Sequence, residues 1–207
     1  MNPAPTESER LRRLRPVLRA REAILRAVRG FFRPRDFLEV ETPVRIPAPA
    51  LETHIDAEPS GSCYLRTSPE LHMKRLLAAG YERLFQIGPC FRQGERGRRH
   101  HPEYTMLEWY RANADYLDIL EDMRAMLREV VEAVSNGTTV PYQGRRIDFG
   151  AEWAVIPVRE AFCGHAGWDP MAQFDADGWD LDMVNKVEPQ LPVDRPVILM
   201  DYPAPAA

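Results

Sequence analysis

The sequence predicts an α+β fold in which an antiparallel sheet is flanked by helices, as opposed to a parallel, doubly wound sheet. Two observations carry that expectation. Residues 84–91 and 103–111 both read as strands, and the polar loop 92–102 between them makes a long antiparallel hairpin. Residues 17–32 and 115–134 each carry one apolar stripe at spacings of three and four, the mark of helices that bury one face against a sheet. The chain has 207 residues, a length compatible with one large domain, and it is read as a single domain over 1–207.

Taken in order, Thr6 and Glu9 are spaced as a capping box. Pro16 either divides two helical stretches or opens the second. Leu18, Ile24, Leu25, Val28, Phe31 and Phe32 then form the stripe of the first helix. Phe37 to Pro43 is rich enough in β-formers to be a short strand closed by proline, and residues 43–50, with three prolines, form a loop. Tyr64–Thr67 reads as a strand. Ser68-Pro69-Glu70 is a helix start, with serine as cap and proline in the first turn, and Gly80 ends that helix. In the strand 103–111, Tyr104, Met106, Glu108 and Tyr110 share one face, and Glu103, Thr105, Leu107, Trp109 and Arg111 share the other. Asp115 caps the next helix and Asn136-Gly137 ends it. Beyond Gly137 the expectation is a strand near 146–149, short helices at 158–163 and 179–188, and an apolar strand at 197–202.

Composition narrows the function classes. The chain is 44% hydrophobic and 28% charged, so it can build a core and is not globally disordered. No apolar run is long enough to span a bilayer, and the first residues lack the apolar segment of a secretory signal. Three widely separated cysteines, Cys63, Cys90 and Cys163, argue against a disulfide framework or a zinc site, and for a reducing, cytoplasmic setting. The net charge of −4 gives the whole chain no electrostatic reason to seek nucleic acid or membrane. Of its 27 basic residues only Lys74 and Lys186 are lysines. The arginines concentrate twice: along the first helix, where they read as a solvated face, and in the hairpin loop.

That loop holds Arg92, Arg96, Arg98, Arg99, His100, His101 and Glu95, while Glu108, Tyr110 and Glu70 lie on the elements beside it. Arginines neutralise a nucleotide's phosphates, and carboxylates receive an ammonium group. The combination describes a site for ATP and an amine-bearing substrate. The stretch Phe91-Arg92-Gln93-Gly94-Glu95, followed by Arg99-His100-His101-Pro102-Glu103-Tyr104-Thr105-Met106-Leu107-Glu108-Trp109-Tyr110, resembles motif 2 of the class II aminoacyl-tRNA synthetases, and more narrowly their lysyl branch. Phe37 to Pro43 after a long helix resembles motif 1, and Thr67-Ser68-Pro69-Glu70 resembles the segment that lines the substrate pocket in this branch. Within the branch the early start of motif 1 and Trp109-Tyr110-Arg111 are most similar to the ligases that attach β-lysine to a lysine of elongation factor P.

The resemblance implies a class II synthetase-type sheet, ATP and Mg²⁺ as cofactors, lysine or β-lysine as substrate, elongation factor P as acceptor in place of tRNA, and a homodimer formed through motif 1. It implies Arg92 as the catalytic group on the ATP α-phosphate, with Gly94, Glu95, His100 and His101 near the nucleotide and Tyr104 stacked under adenine. Ser68, Pro69, Glu70, Glu108 and Tyr110 fall to the amino-acid substrate. Gly94 stands where the branch usually has glutamate, with Glu95 next in line to replace it, and His101 stands in place of asparagine. The chain is expected to end before motif 3, incomplete at its C-terminus, and with it the acidic residues that hold Mg²⁺; no metal ligand is expected here. A lysyl-tRNA synthetase-like enzyme and a catalytically inactive, synthetase-like binding protein are the alternatives. Ser68 as a plain helix cap and Tyr104 as ordinary strand packing are the simpler roles for those residues.

Overall fold

A computed structural model describes residues 5–50, 52 and 55–206. Helix α1 (Glu7–Phe32) opens the chain, and a 3₁₀ turn, Arg33–Arg35, follows it. Four short strands come next: β1 (Leu38–Glu39), β2 (Arg45–Ile46), β3 (Pro59–Ser60) and β4 (Cys63–Leu65). Helix α2 (Glu70–Ala78) leads into the long strands β5 (Arg83–Phe91) and β6 (Glu103–Arg111), and then helix α3 (Tyr116–Ser135). The rest is β7 (Thr139–Tyr142), β8 (Arg145–Asp148), β9 (Ala154–Pro157), α4 (Val158–His165), α5 (Ala176–Asp182) and β10 (Val197–Met200).

The chain forms two compact units, one of residues 25–126 and one of the residues before and after them. In the first, β5 and β6 pair antiparallel along their whole length, from Arg83 opposite Arg111 to Phe91 opposite Glu103. This is the expected hairpin. Its apolar face is closed by the end of α1: Phe32 stacks on Phe85 at 4.6 Å between ring centroids and lies 5.7 Å from Trp109. Phe31, Phe32, Phe37 and Phe85 are all buried there. In the second unit, Phe162 and Trp179 stack at 4.5 Å in a core shared with Val158, Ala161 and Val187.

The mixed α+β class is as expected, and several details differ. Pro16 neither divides nor opens a helix; it sits inside one continuous α1. The capping box does form, with Glu9 Oε2 accepting from the Thr6 amide at 2.8 Å and Thr6 Oγ1 accepting from the Glu9 amide at 3.3 Å. Strand 37–43 shrinks to Leu38–Glu39, and it pairs parallel to β5, giving the sheet order β1-β5-β6. The ladder continues only to the Val40 amide, which donates to Phe85 O. The Thr42 amide is taken by the Gln86 side chain, so the backbone leaves the sheet there. Strand 197–202 stops at Met200 and pairs parallel with β9, which the periodicity had not revealed. Strand β7, which contains Pro141, lies outside the expected elements. It pairs with β8 across a Gln143-Gly144 turn whose two residues both take positive φ, at 48° and 77°. The helix expected over 179–188 changes pitch, from α5 into a π turn at Met183–Val187 and a 3₁₀ turn at Glu188–Gln190, where Pro189 has no amide to continue it.

Candidate active site

Strand alternation gives the β5–β6 hairpin two unlike faces. One is the phenylalanine core. The other carries Tyr104, Met106, Glu108 and Tyr110 from β6, opposite Cys90, Gly88, Gln86 and Leu84 of β5. The segment Thr67-Ser68-Pro69-Glu70 lies against this second face. Tyr104 donates its hydroxyl to Thr67 O at 3.1 Å, and Ser68 donates to Glu108 Oε2 at 2.8 Å.

Glu108 is the centre of one cluster. Its second oxygen accepts the Tyr110 hydroxyl at 2.6 Å, so both oxygens of a half-buried carboxylate are held by neutral donors. Among the described residues its charge is met by hydroxyl dipoles and by no ion pair. Burial, the hydrogen bond to Glu108 and the charges of Glu108 and Glu70 together hold the Tyr110 phenol far above its ordinary pKa, so it stays a donor. Ser68 also accepts from the Glu70 amide at 3.1 Å, so one hydroxyl both caps α2 and orients Glu108. Pro69 is the residue from which α2 starts: its carbonyl accepts from the amides of His72 and Met73. Glu70, on the first turn, pairs with Lys74 one turn on.

Arg92 is the centre of the other. It follows directly on β5, and its amide donates to Pro102 O at 2.9 Å, which closes the base of the loop. Its guanidinium lies 5.3 Å from the Tyr104 ring centroid and 3.7 Å from Glu95. Arg92 is no exposed loop residue: its side chain is about a quarter exposed, and its buried Nε has no partner among the described residues. Gly94 takes φ of +75°, a conformation that suits glycine, where the loop turns away from the strand. Burial raises the Tyr104 phenol above its ordinary pKa, with the charge of Arg92 opposing. His100 and His101 sit elsewhere, exposed on the loop tip beside a surface cleft of about 440 Å³ that Arg96, Gly97, Pro102 and Glu103 also line.

One residue that sequence reasoning passed over holds the two walls in register. Arg66 is 1% exposed, yet it carries a guanidinium. Nη1 donates to Thr42 O at 2.8 Å and Thr42 Oγ1 at 3.0 Å, and Nε donates to Pro89 O at 2.9 Å. Its own carbonyl accepts from the Phe91 amide. It therefore links the residue before Thr67 to the residue before Arg92. A charged residue inside the strand expected at 64–67 was the available signal, because arginine is rarely buried without a reason. Gly88 makes room for it: a Cβ there would stand 2.6 Å from Arg66 Nη2. Among the described residues no group of three or more His, Cys, Asp or Glu side chains converges to hold a metal, and no helix is long and apolar enough to cross a membrane.

Comparison with known proteins gives one family. Residues 7–206 match the family described as tRNA synthetases class II (D, K and N). The lysine–tRNA ligase of Dichelobacter nodosus is 41% identical over 155 residues, covering 72% of this chain and 31% of the relative. That of Chromohalobacter salexigens is 39% identical over 172 residues, 80% of this chain and 34% of the relative. That of Pelotomaculum thermopropionicum is 36% identical over 219 residues, 92% of this chain and 43% of the relative. The chain thus spans about a third of the length of the first of these relatives.

Proposed function

Since this chain belongs to the class II tRNA synthetases (D, K and N), we propose that it is an ATP-dependent ligase that activates lysine or β-lysine at its carboxylate. The observation that carries the reading is Glu108: a half-buried carboxylate, preset by Ser68 and Tyr110 and without a cation of its own. A carboxylate organised in that way suits a ligand's ammonium. Glu70 and Pro69 close the same end of the site.

The orphaned Nε of Arg92, buried at the loop base, fits an anionic oxygen, and this supports a nucleotide there. ATP supplies an α-phosphorus that the lysine carboxylate attacks, with pyrophosphate leaving. Arg92 binds the phosphoryl oxygen and stabilises the charge that builds on it. The Tyr104 ring offers the adenine a flat face. Gly94, Glu95, His100 and His101 shape the loop around the phosphates, and Glu95, 3.7 Å from Arg92, takes the place of the glutamate that the branch usually has one position earlier. Mg²⁺ would come with ATP as its counter-ion; among the described residues no group of three or more His, Cys, Asp or Glu side chains converges to hold it.

Pyrophosphate exchange tests the reaction: lysine or β-lysine should support it and unrelated amino acids should not. Equal rates with unrelated amino acids overturn the lysine assignment, and lysine binding without exchange favours an inactive binding protein. The acceptor is the finer half of the proposal. We read it as a lysine of elongation factor P, on the likeness at Trp109-Tyr110-Arg111; the names of the relatives favour tRNA. Labelled lysine offered with each acceptor separately decides between them. A homodimer through residues 37–43, in the cytoplasm, completes the reading, and sedimentation measures its mass.

A further inference from the structure

The two carboxylates of the candidate site are in different states. Glu108 is held by hydroxyls, whereas Glu70 Oε1 is occupied by the ammonium of Lys74. That group is an alkylammonium, chemically the same as the one the site is read as binding. It is tethered one helical turn from Glu70, a spacing that keeps the two side chains in reach of each other. Glu70 lies beside Glu108: its amide donates to the Ser68 hydroxyl at 3.1 Å, and that hydroxyl donates to Glu108 at 2.8 Å. The chain uses arginine almost everywhere that it needs a cation, yet it has lysine here. Arginine would grip a carboxylate with two parallel bonds; lysine holds it by one point charge and lets go more easily.

We propose that Lys74 is an internal competitor for Glu70, occupying that carboxylate in the free protein and giving it up to an ammonium of the incoming substrate. The exchange is cheap in this geometry. The Lys74 side chain is 53% exposed and that of Glu70 36%, so the displaced ammonium returns to water and no charge is stranded. Whether Lys74 swings away or stays on the second oxygen, it opposes the incoming cation. Lys74 is thus a residue that lowers affinity and sharpens selection, because only a ligand with an ammonium in the right place can replace it. The inference rests on reading Glu70 as a ligand of the substrate.

The test is calorimetric titration of the full chain and of two variants with lysine, 6-aminohexanoate and norleucine. The last two each keep one of lysine's two ammonium groups. Lys74→Met removes the competing charge, and Lys74→Arg strengthens its grip; both residues are good helix formers, so α2 is preserved. An exposed ion pair contributes roughly 0.2–1 kcal/mol, so Lys74→Met should tighten lysine by up to about fivefold, and Lys74→Arg should weaken it. The gain should persist for the analogue that keeps the ammonium facing Glu70 and vanish for the other. Unchanged or weaker lysine binding by Lys74→Met overturns the proposal, as does one common factor for all three ligands. Failure of the unsubstituted protein to bind lysine at all overturns the lysine reading itself, and this inference with it.

Discussion

Replacing Glu108 with glutamine removes a charge and almost nothing else. The amide keeps the size of the carboxylate, and its oxygen still accepts one of the two hydroxyls that now hold Glu108, Ser68 at 2.8 Å or Tyr110 at 2.6 Å. The other hydroxyl can rotate to accept from the amide nitrogen, so the pocket stays hydrogen-bonded and the fold should persist. What is lost is the anion opposite the substrate's ammonium. A hydrogen bond to a charged group contributes about 1.5–3 kcal/mol, which corresponds to lysine binding weaker by roughly 10- to 150-fold. Calorimetric titration with lysine measures this directly, and thermal melting checks that the fold is intact. A second readout follows from the same contact. Tyr110 is held up by burial first and then by its bond to Glu108, so Glu108→Gln should lower its phenol toward the ordinary range while burial keeps it above. If lysine affinity changes by less than about threefold in a folded variant, against that expectation, Glu108 is not the ammonium's partner. The proposed orientation of the substrate would then be wrong.

Arg92→Ala should slow adenylate formation by on the order of 10²–10³, as for loss of a single transition-state donor, while its stacking on Tyr104 and its pairing with Glu95 cost stability only about 1 kcal/mol. Arg98→Ala and Arg99→Ala, on the exposed tip, should cost much less; unfolding of Arg92→Ala would make Arg92 structural instead. Tyr110 and Tyr104 stay neutral in the folded chain to a higher pH than in the unfolded one, where a phenol ionises near pH 10. Stability is therefore complete below about pH 10 and falls as pH rises above it; melting temperatures from pH 8 to 11 should drop in that upper range, and Tyr110→Phe should flatten the decline. Gly88→Ala puts a Cβ 2.6 Å from Arg66 Nη2, so the guanidinium must shift against its buried bonds to Thr42 and Pro89, and urea unfolding should show a loss of roughly 1–3 kcal/mol. An unchanged urea midpoint would show that Arg66 can shift freely.

Much of this protein is written in local pattern. The hairpin of 83–91 and 103–111 is legible because side chains on a strand alternate, so placing Tyr104, Glu108 and Tyr110 on one face needs no structure. The caps at Thr6, Ser68 and Asp115 are equally local, each a side-chain oxygen reaching an amide two or three residues on. Where local signals compete, tertiary context decides. Pro16 is a helix breaker by propensity and lies inside α1 all the same, and Phe37–Pro43 has the composition of a strand but loses its ladder at Thr42 to the Gln86 side chain. Strand β9 acquires its identity only by lying against β10, some forty residues away. The candidate site follows the same division. Its residue types are local facts, whereas the bond from Ser68 to Glu108, the contact of Arg92 with Tyr104 and the buried Arg66 all depend on which strands meet. Periodicity reports which face a residue is on, and only packing determines what that face meets.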